Sequence, residues 1–378
     1  MPPRRRASVS ASADARRKVA SFARRLIDWQ RRHGRHDLPW QGTRDPYRIW
    51  VAEVMLQQTQ VATALRYYSR FLESFPDVAA LARAPLDAVL ARWSGLGYYR
   101  RAHHLHAAAR VVMAEHGGRF PADSATLAAL PGIGRSTAAA VAAFASGERA
   151  AILDGNVKRV LARHRGIDGW PGERDVETRM WALAESLLPR AGASPIAVYT
   201  QALMDLGATL CTRLRPRCGG CPVAADCVAR IEGCVDDLPH PRPGRSVPSR
   251  ALRVLVVERG DRLALEKRPS IGVWAGLWSL PELSLGDDVT AAVVARFGVA
   301  PATQRAATPF VHRFTHFALT LHPLYVRLPY AAECGAGVAA MVRAAELDDA
   351  AAGVGWFTPD EALASALPAP IRALLRRA

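Results

Sequence analysis

Lysine is almost missing from this chain. Of its 50 Lys and Arg residues only Lys18, Lys158 and Lys267 are lysine, so chemistry that needs an amine, Schiff-base formation above all, has few places to occur. Acidic residues are also in the minority. The 34 Asp and Glu leave a formal net charge of +16, carried almost wholly by planar, bidentate guanidinium groups, and this points to a polyanionic partner, nucleic acid before an anionic membrane surface. No stretch reaches the ~18 uninterrupted apolar residues of a membrane span. Met1 to Ala20 lacks the apolar centre of a secretion signal, so neither insertion nor export is expected. A cytoplasmic, nucleoid-associated location follows as an expectation. Cysteine is scarce, six residues in 378, and in a reducing compartment disulfides are poor candidates for them.

What is present falls into blocks. Residues 1–20 mix Arg4, Arg5, Arg6, Arg16, Arg17 and Lys18 with Ala, Ser and Pro and offer no packable face, which reads as a basic flexible tail. Over 21–232 apolar residues recur at spacings of three and four, as in Phe22, Leu26 and Trp29, with breaks at Pro46, Pro76, Pro85, Pro121 and Pro131. This predicts a helical domain of about ten short helices. The segment 233–250 holds Pro239, Pro241, Pro243, Gly244 and Pro248 and reads as a linker. Beyond it, over 251–378, the period changes: β-rich runs at Leu252–Glu258, Arg262–Glu266 and Phe317–Val326 alternate with helical patterns at Val289–Phe297 and Ile371–Arg377. The fold class expected is mainly α, followed by a smaller α+β domain.

Four of the cysteines crowd into one loop, Cys211, Cys218, Cys221 and Cys227, with Pro216, Gly219, Gly220 and Pro222 between them. Thiolates so close in sequence can wrap one compact ion or cluster. Structural zinc usually takes two short pairs separated by a longer segment, whereas a compact run of four also suits a cubane iron-sulfur cluster. Cys234 and Cys334 have no such company.

Several motifs occur in an order that resembles the helix-hairpin-helix DNA glycosylases: Glu53-Val54-Met55-Leu56-Gln57-Gln58-Thr59-Gln60, Gly95-Leu96-Gly97-Tyr98-Tyr99, Leu130-Pro131-Gly132-Ile133-Gly134-Arg135, Leu153-Asp154-Gly155-Asn156-Val157 and the cysteine loop. Within that superfamily the spelling is similar to the adenine DNA glycosylases of the MutY type, which carry a Nudix-like domain after the cluster loop. The resemblance implies base-excision repair: hydrolysis of the N-glycosidic bond of adenine opposite 8-oxoguanine or guanine in double-stranded DNA, by a monomer carrying one 4Fe-4S cluster on Cys211, Cys218, Cys221 and Cys227. An alternative is a bifunctional endonuclease III-like glycosylase and lyase acting on oxidised pyrimidines. Such relatives carry a lysine after the glycine hairpin, where this chain has Ser136, and a hydroxyl forms no imine.

Breaking a glycosidic bond needs a proton for the leaving base and negative charge beside a sugar that becomes oxocarbenium-like, so two carboxylates in different surroundings are expected. Glu53 lies among Val51, Ala52, Val54 and Met55, where desolvation would keep it protonated as a general acid. Asp154 sits at a helix start, a capping position by itself. The resemblance makes it the stabiliser of the cationic sugar, with Asn156 ordering the site. It also assigns Tyr98 to intercalation and brings Arg35, Trp40 and Gln201, with Met204 and Asp205, to the adenine pocket. Gln57 fits a wedge behind a flipped nucleotide, and Gly132, Gly134 and Ser136 belong to a hairpin whose backbone N–H groups can hold a phosphate. Phe314, Thr315 and His316 match the family's contact with 8-oxoguanine. A Nudix hydrolase needs glutamates on a metal-binding helix, and 287–297 has none, so this domain is expected to recognise rather than hydrolyse.

Overall fold

A computed structural model describes residues 22–190, 195–244, 247–329 and 353–377. The basic tail expected over 1–20, and Cys334, lie outside them. The chain divides into two compact units, one built from the chain up to Arg83 with His104–Gly244, the other from Ala84–His103 with Arg245 onward. Residues 84–103, helical by their periodicity, thus group with the C-terminal unit. Arg163 Nε donates to the carbonyl of buried Leu238 at 2.8 Å, so the start of the Pro-rich segment lies on the helical unit, while its last residues already belong to a strand beginning at Ser249.

In chain order the helices are α1 (22–33), α2 (Pro46–Leu56), α3 (Val61–Ser74), α4 (Val78–Arg83), α5 (Leu86–Trp93), α6 (Arg100–Glu115), α7 (Ser124–Ala128), α8 (Arg135–Ala145), α9 (Gly155–Arg165), α10 (Arg174–Ser186), α11 (Ile196–Thr209) and α12 (Val228–Ile231). Asp45 opens α2: its side chain accepts the Tyr47 N–H at 2.9 Å, and Pro46 occupies the first turn, where a missing N–H costs little. The helix is then apolar on most sides, with Ile49, Trp50, Val51, Ala52, Val54 and Met55 buried. It therefore carries Glu53 into surroundings that a carboxylate otherwise avoids. Against α2 packs α8, whose buried face of Ala138, Ala139, Ala142 and Ala143 permits close approach. Phe22 and Leu26 of α1 join Leu161, Met180 and Leu206 in the core, each side chain contributing about 1.5–3 kcal/mol by burial.

The C-terminal unit is built on a sheet of eight strands: β1 (Ser249–Arg259), β2 (Arg262–Lys267), β3 (Trp278–Ser279), β4 (Glu282–Leu283), β5 (Thr303–Ala306), β6 (Phe310–Arg313), β7 (Ala318–Arg327) and β8 (Val354–Phe357). Its central pair, β1 and β7, is parallel, from Ser249 opposite Ala318 to Glu258 opposite Arg327. β1 turns into β2 through Gly260, whose φ of +61° suits glycine. α13 (Val289–Phe297) covers Leu255, Val257 and Val326 with Val293 and Phe297. Two short helices, α14 (Pro359–Ala364) and α15 (Ala369–Leu375), close the chain.

Candidate active site

The helical unit holds a cavity of about 540 Å³ whose wall includes Arg35, Trp40, Glu53, Phe144, Gln201 and Met204. Two of these, Arg35 and Gln201, are organised by one buried carboxylate. Asp205, with no exposed surface, accepts the Arg35 backbone N–H at 3.0 Å, Arg35 Nε at 2.8 Å and Gln201 Nε2 at 2.9 Å. Each oxygen of this buried side chain is matched by a donor, and the Arg35 guanidinium pairs with it. Trp40 is held edge-on against Tyr68, with ring centroids 5.3 Å apart. The result is a pocket of indole, amide and guanidinium groups in fixed orientations, which suits a planar base bearing both donors and acceptors.

Glu53 forms part of that wall, and burial pushes its carboxyl up to about 8, with the charge of Asp154 adding to the push. It is therefore protonated at neutral pH. Asp154 caps α9, accepting the Val157 N–H at 2.7 Å. Burial raises its pKa as well, while the N–H groups of Val157 and Asn156 pull it back. Capping and proximity to Glu53 thus coexist in one side chain. Burial raises the pKa of both acids, but only Asp154 also meets helix N-terminal N–H groups that favour its anion.

The start of α9 is fixed from below by an arginine that the motif comparison passed over. Arg159 donates to Asn156 Oδ1 at 2.8 Å, to the Gly207 carbonyl at 2.8 Å and to the Cys211 carbonyl at 2.7 Å. Gly207 allows this approach, because a Cβ there would lie 2.6 Å from that of Asn156. One turn further on, Arg163, only 3 % exposed, donates to the Thr212 and Arg213 carbonyls. Two arginines four apart in a buried helix were the available signal.

The hairpin before α8 is shaped by Gly132, whose φ is +74° and whose Cβ would collide with His104 at 2.4 Å. Gly134 caps the helix and faces open space, so backbone N–H groups remain accessible there. Arg135 is engaged elsewhere: its guanidinium lies 3.9 Å over the Trp181 ring and pairs with Glu185. Any anion held at this turn is held by the backbone. Ser136 Oγ accepts the Leu153 N–H at 2.9 Å, tying the hairpin helix to the residue before Asp154. Beside it, Gln57 Nε2 donates to Thr137 Oγ1 at 3.2 Å. Lys158 is drawn to Glu177 at 2.7 Å and to the Pro171 carbonyl.

Tyr98 and the Phe314-Thr315-His316 segment belong to the C-terminal unit. Tyr98 is 46 % exposed and takes a φ of +48°, an unusual conformation for a bulky residue. Thr315 and His316 are exposed at the tip joining β6 to β7, in a turn closed by the Phe314 N–H on the Phe317 carbonyl. Below the tip, Phe314 and Phe317 stack at 4.4 Å, with Trp274 and His312 beside them. On the sheet beside α13, Glu266 pairs with Arg296 and Glu282 with Arg268, and α13 bears no glutamate.

All four cysteines of the loop line one small cavity with Arg163, Arg217 and Arg230. None is in a disulfide. Burial pushes the Cys221 thiol up to about 11, with the neighbouring cysteines adding to it, so four thiolates here require a cationic centre among them. Among the described residues no three His, Cys, Asp or Glu side chains converge as ligands of a single metal ion. Four thiols around a shared cavity, with Arg163 Nη1 3.5 Å from Cys211 Sγ, form a donor set suited to thiolate ligation of a metal centre.

The helical unit thus brings together a glycine hairpin, a buried acid in the wall of a cavity and a carboxylate at the head of α9. Residues 51–186 match the HhH-GPD superfamily of base excision DNA repair proteins, and 253–377 match a NUDIX domain. The chain is 33% identical over 312 residues to the adenine DNA glycosylase of Buchnera aphidicola subsp. Acyrthosiphon pisum (strain APS), across 82% of this chain and 88% of that protein. It is 35% identical over 365 residues to the adenine DNA glycosylase of Homo sapiens, across 80% of this chain and 66% of that protein. Among solved structures, a thermostable thymine-DNA glycosylase superposes with a TM-score of 0.51 at 29% identity, over 57% of this chain and 98% of that one. The chain belongs to the adenine DNA glycosylases and is an enzyme of base-excision DNA repair. No helix among the described residues is long and apolar enough to cross a membrane.

Proposed function

We propose that this glycosylase removes adenine opposite 8-oxoguanine or guanine from duplex DNA by hydrolysis, without cutting the strand. The observation that most supports the chemistry is Glu53, a carboxyl raised to about 8 in the wall of a base-sized cavity. In this reading adenine enters the cavity between Trp40, Arg35 and Gln201, and Glu53 gives its proton to a ring nitrogen. The bond from the sugar to the base breaks with its electron pair leaving on adenine, and Asp154 stabilises the cationic sugar, held in place by Asn156 and the α9 backbone. Water adds its hydroxyl to the sugar carbon, and its proton restores Glu53. Ser136 cannot replace water by forming an imine, and the amine of Lys158 is engaged by Glu177. Gln57 fills the space behind the flipped nucleotide, and Gly132 and Gly134 bring N–H groups to a phosphate. Cys211, Cys218, Cys221 and Cys227 would hold a 4Fe-4S cluster, which orders the 211–227 loop when bound.

Adenine is a normal base, so the partner strand must be inspected by another surface. Thr315 and His316 offer a hydroxyl and an imidazole at an exposed tip, beside a domain whose metal-binding helix has lost its carboxylates. Replacing both by alanine is expected to lower the ratio of affinities for adenine:8-oxoguanine over adenine:guanine duplexes at least tenfold, with good contacts to a purine edge at ~1–3 kcal/mol each. Single-turnover kinetics and titrations on the two duplexes measure it. An unchanged ratio would remove this tip from recognition.

A further inference from the structure

The turn that presents Tyr98 is gripped by the far end of the chain. After α5 the backbone passes through Ser94 and Gly95 to Tyr98 and Tyr99. Ser94 Oγ donates to the Leu367 carbonyl at 3.1 Å, and the Tyr99 hydroxyl donates to the same carbonyl at 3.0 Å while accepting the Gly95 N–H at 3.2 Å. Arg372 on α15 donates through Nη2 to Ser94 Oγ at 2.7 Å and to the Ser365 carbonyl at 2.8 Å, and through Nη1 to the Leu363 carbonyl. On its inner side the turn is held at the Gly97 carbonyl, which accepts from Trp93 Nε1 and Arg101 Nη2, both at 3.1 Å. All of these residues lie within the C-terminal unit.

The grip acts on both flanks of one residue. Leu367 is fully buried, so its carbonyl is a fixed point and not a mobile acceptor. Tyr98, between the two held flanks, sits in left-handed backbone geometry and exposes its ring, an arrangement a bulky residue keeps only where its surroundings over-determine it. A charge-assisted bond from Arg372 polarises the Ser94 hydroxyl that donates onward to Leu367, so the contacts form a connected chain.

We propose that Arg372, with Tyr99, is a positioning residue for Tyr98: the C-terminal helix sets the geometry in which this ring stacks into the duplex. The proposal rests on the reading of Tyr98 as the stacking residue. Its consequence is that the C-terminal unit contributes to engagement of the lesion through two separate surfaces, the Thr315-His316 tip and the Tyr98 turn.

The test uses the full-length protein and an adenine:8-oxoguanine duplex carrying 2-aminopurine on one or the other side of 8-oxoguanine, in a Glu53→Gln background so that adenine stays in place. Stacking by Tyr98 changes the 2-aminopurine emission. Arg372→Ala and Tyr99→Phe are expected to diminish that change and weaken duplex affinity, Arg372→Ala roughly tenfold as for one charge-assisted hydrogen bond and Tyr99→Phe about fivefold as for a neutral one. Arg372→Lys should restore part of both. With Glu53 intact, the single-turnover rate at saturating enzyme should move less than about twofold, since the chemical groups are untouched. Tyr99→Phe removes a single oxygen and keeps the test open where Arg372→Ala fails to fold. An emission change lost in Tyr98→Ala but intact in Arg372→Ala and Tyr99→Phe overturns the positioning role. A change that survives in Tyr98→Ala overturns the stacking reading itself.

Discussion

Glu53→Gln is expected to abolish adenine excision while leaving duplex binding nearly intact. The amide keeps the size of the side chain and removes the proton, and losing a positioned general acid costs ~10²–10⁴-fold in rate. Single-turnover cleavage beside a direct binding titration separates the two quantities. The pH profile of the parent enzyme carries the same information. Glu53 works in its protonated form, which burial maintains up to about 8, so kcat/KM should hold at neutral pH and fall as pH rises through that value. On the acid side the rate should decline as Asp154 is protonated, above the ordinary aspartate range because burial raises it too. Stability should respond in a matching way. The folded-state pKa of Glu53 is raised, so between the ordinary glutamate value and about 8 the folded state binds more protons than the unfolded chain, and stability declines with rising pH across that window. The glutamine variant escapes this decline. It should be the more stable protein at alkaline pH and the inactive one, whereas substantial residual turnover would take Glu53 out of the mechanism.

The second large effect concerns the cysteine loop. The purified protein should be brown, with iron and sulfide in equal amounts, and Cys218→Ser or Cys221→Ser should yield colourless protein with a strongly depressed melting temperature. The reason lies in what else holds the loop. Between Cys211 and Cys227 there are only two short 3-10 turns, tethered by carbonyls accepting from Arg159 and Arg163 and by the Asp226 carboxylate on Arg25. Binding energy at such a site is folding energy. Because Arg159 reaches from the Cys211 carbonyl to Asn156, disorder in the loop also loosens the start of α9, where Asp154 sits. Excision should fall together with the cluster. Colourless parent protein carrying one zinc would contradict the cluster assignment.

Much of this was legible in the sequence because it is local. The helix carrying Glu53, the cap at Asp154, the glycine hairpin and the four cysteines are each written within seventeen residues or fewer, and the β1–β2 hairpin announces itself at Gly260 and Asp261. What stayed hidden is held by contacts between distant positions. The family resemblance put Arg35 and Asp205 in one pocket but not their bond across 170 positions, and nothing marked Ser94 and Leu367, which meet across 273. Grouping of Ala84–His103 with the C-terminal unit was invisible for the same reason, since a helix pattern states which face is apolar and not what covers it. Arg135 shows the limit of charge reading. Beside a glycine hairpin an arginine suggests a phosphate contact, yet Arg135 lies over Trp181 and pairs with Glu185.

The central claim is that this enzyme removes adenine opposite 8-oxoguanine and stops at the abasic site. It is tested most directly by single-turnover reactions on an end-labelled adenine:8-oxoguanine duplex, analysed with and without alkali, beside a thymine glycol duplex. Strand breaks are expected only after alkali on the first duplex and not at all on the second. Breaks without alkali, or cleavage at thymine glycol, would contradict it.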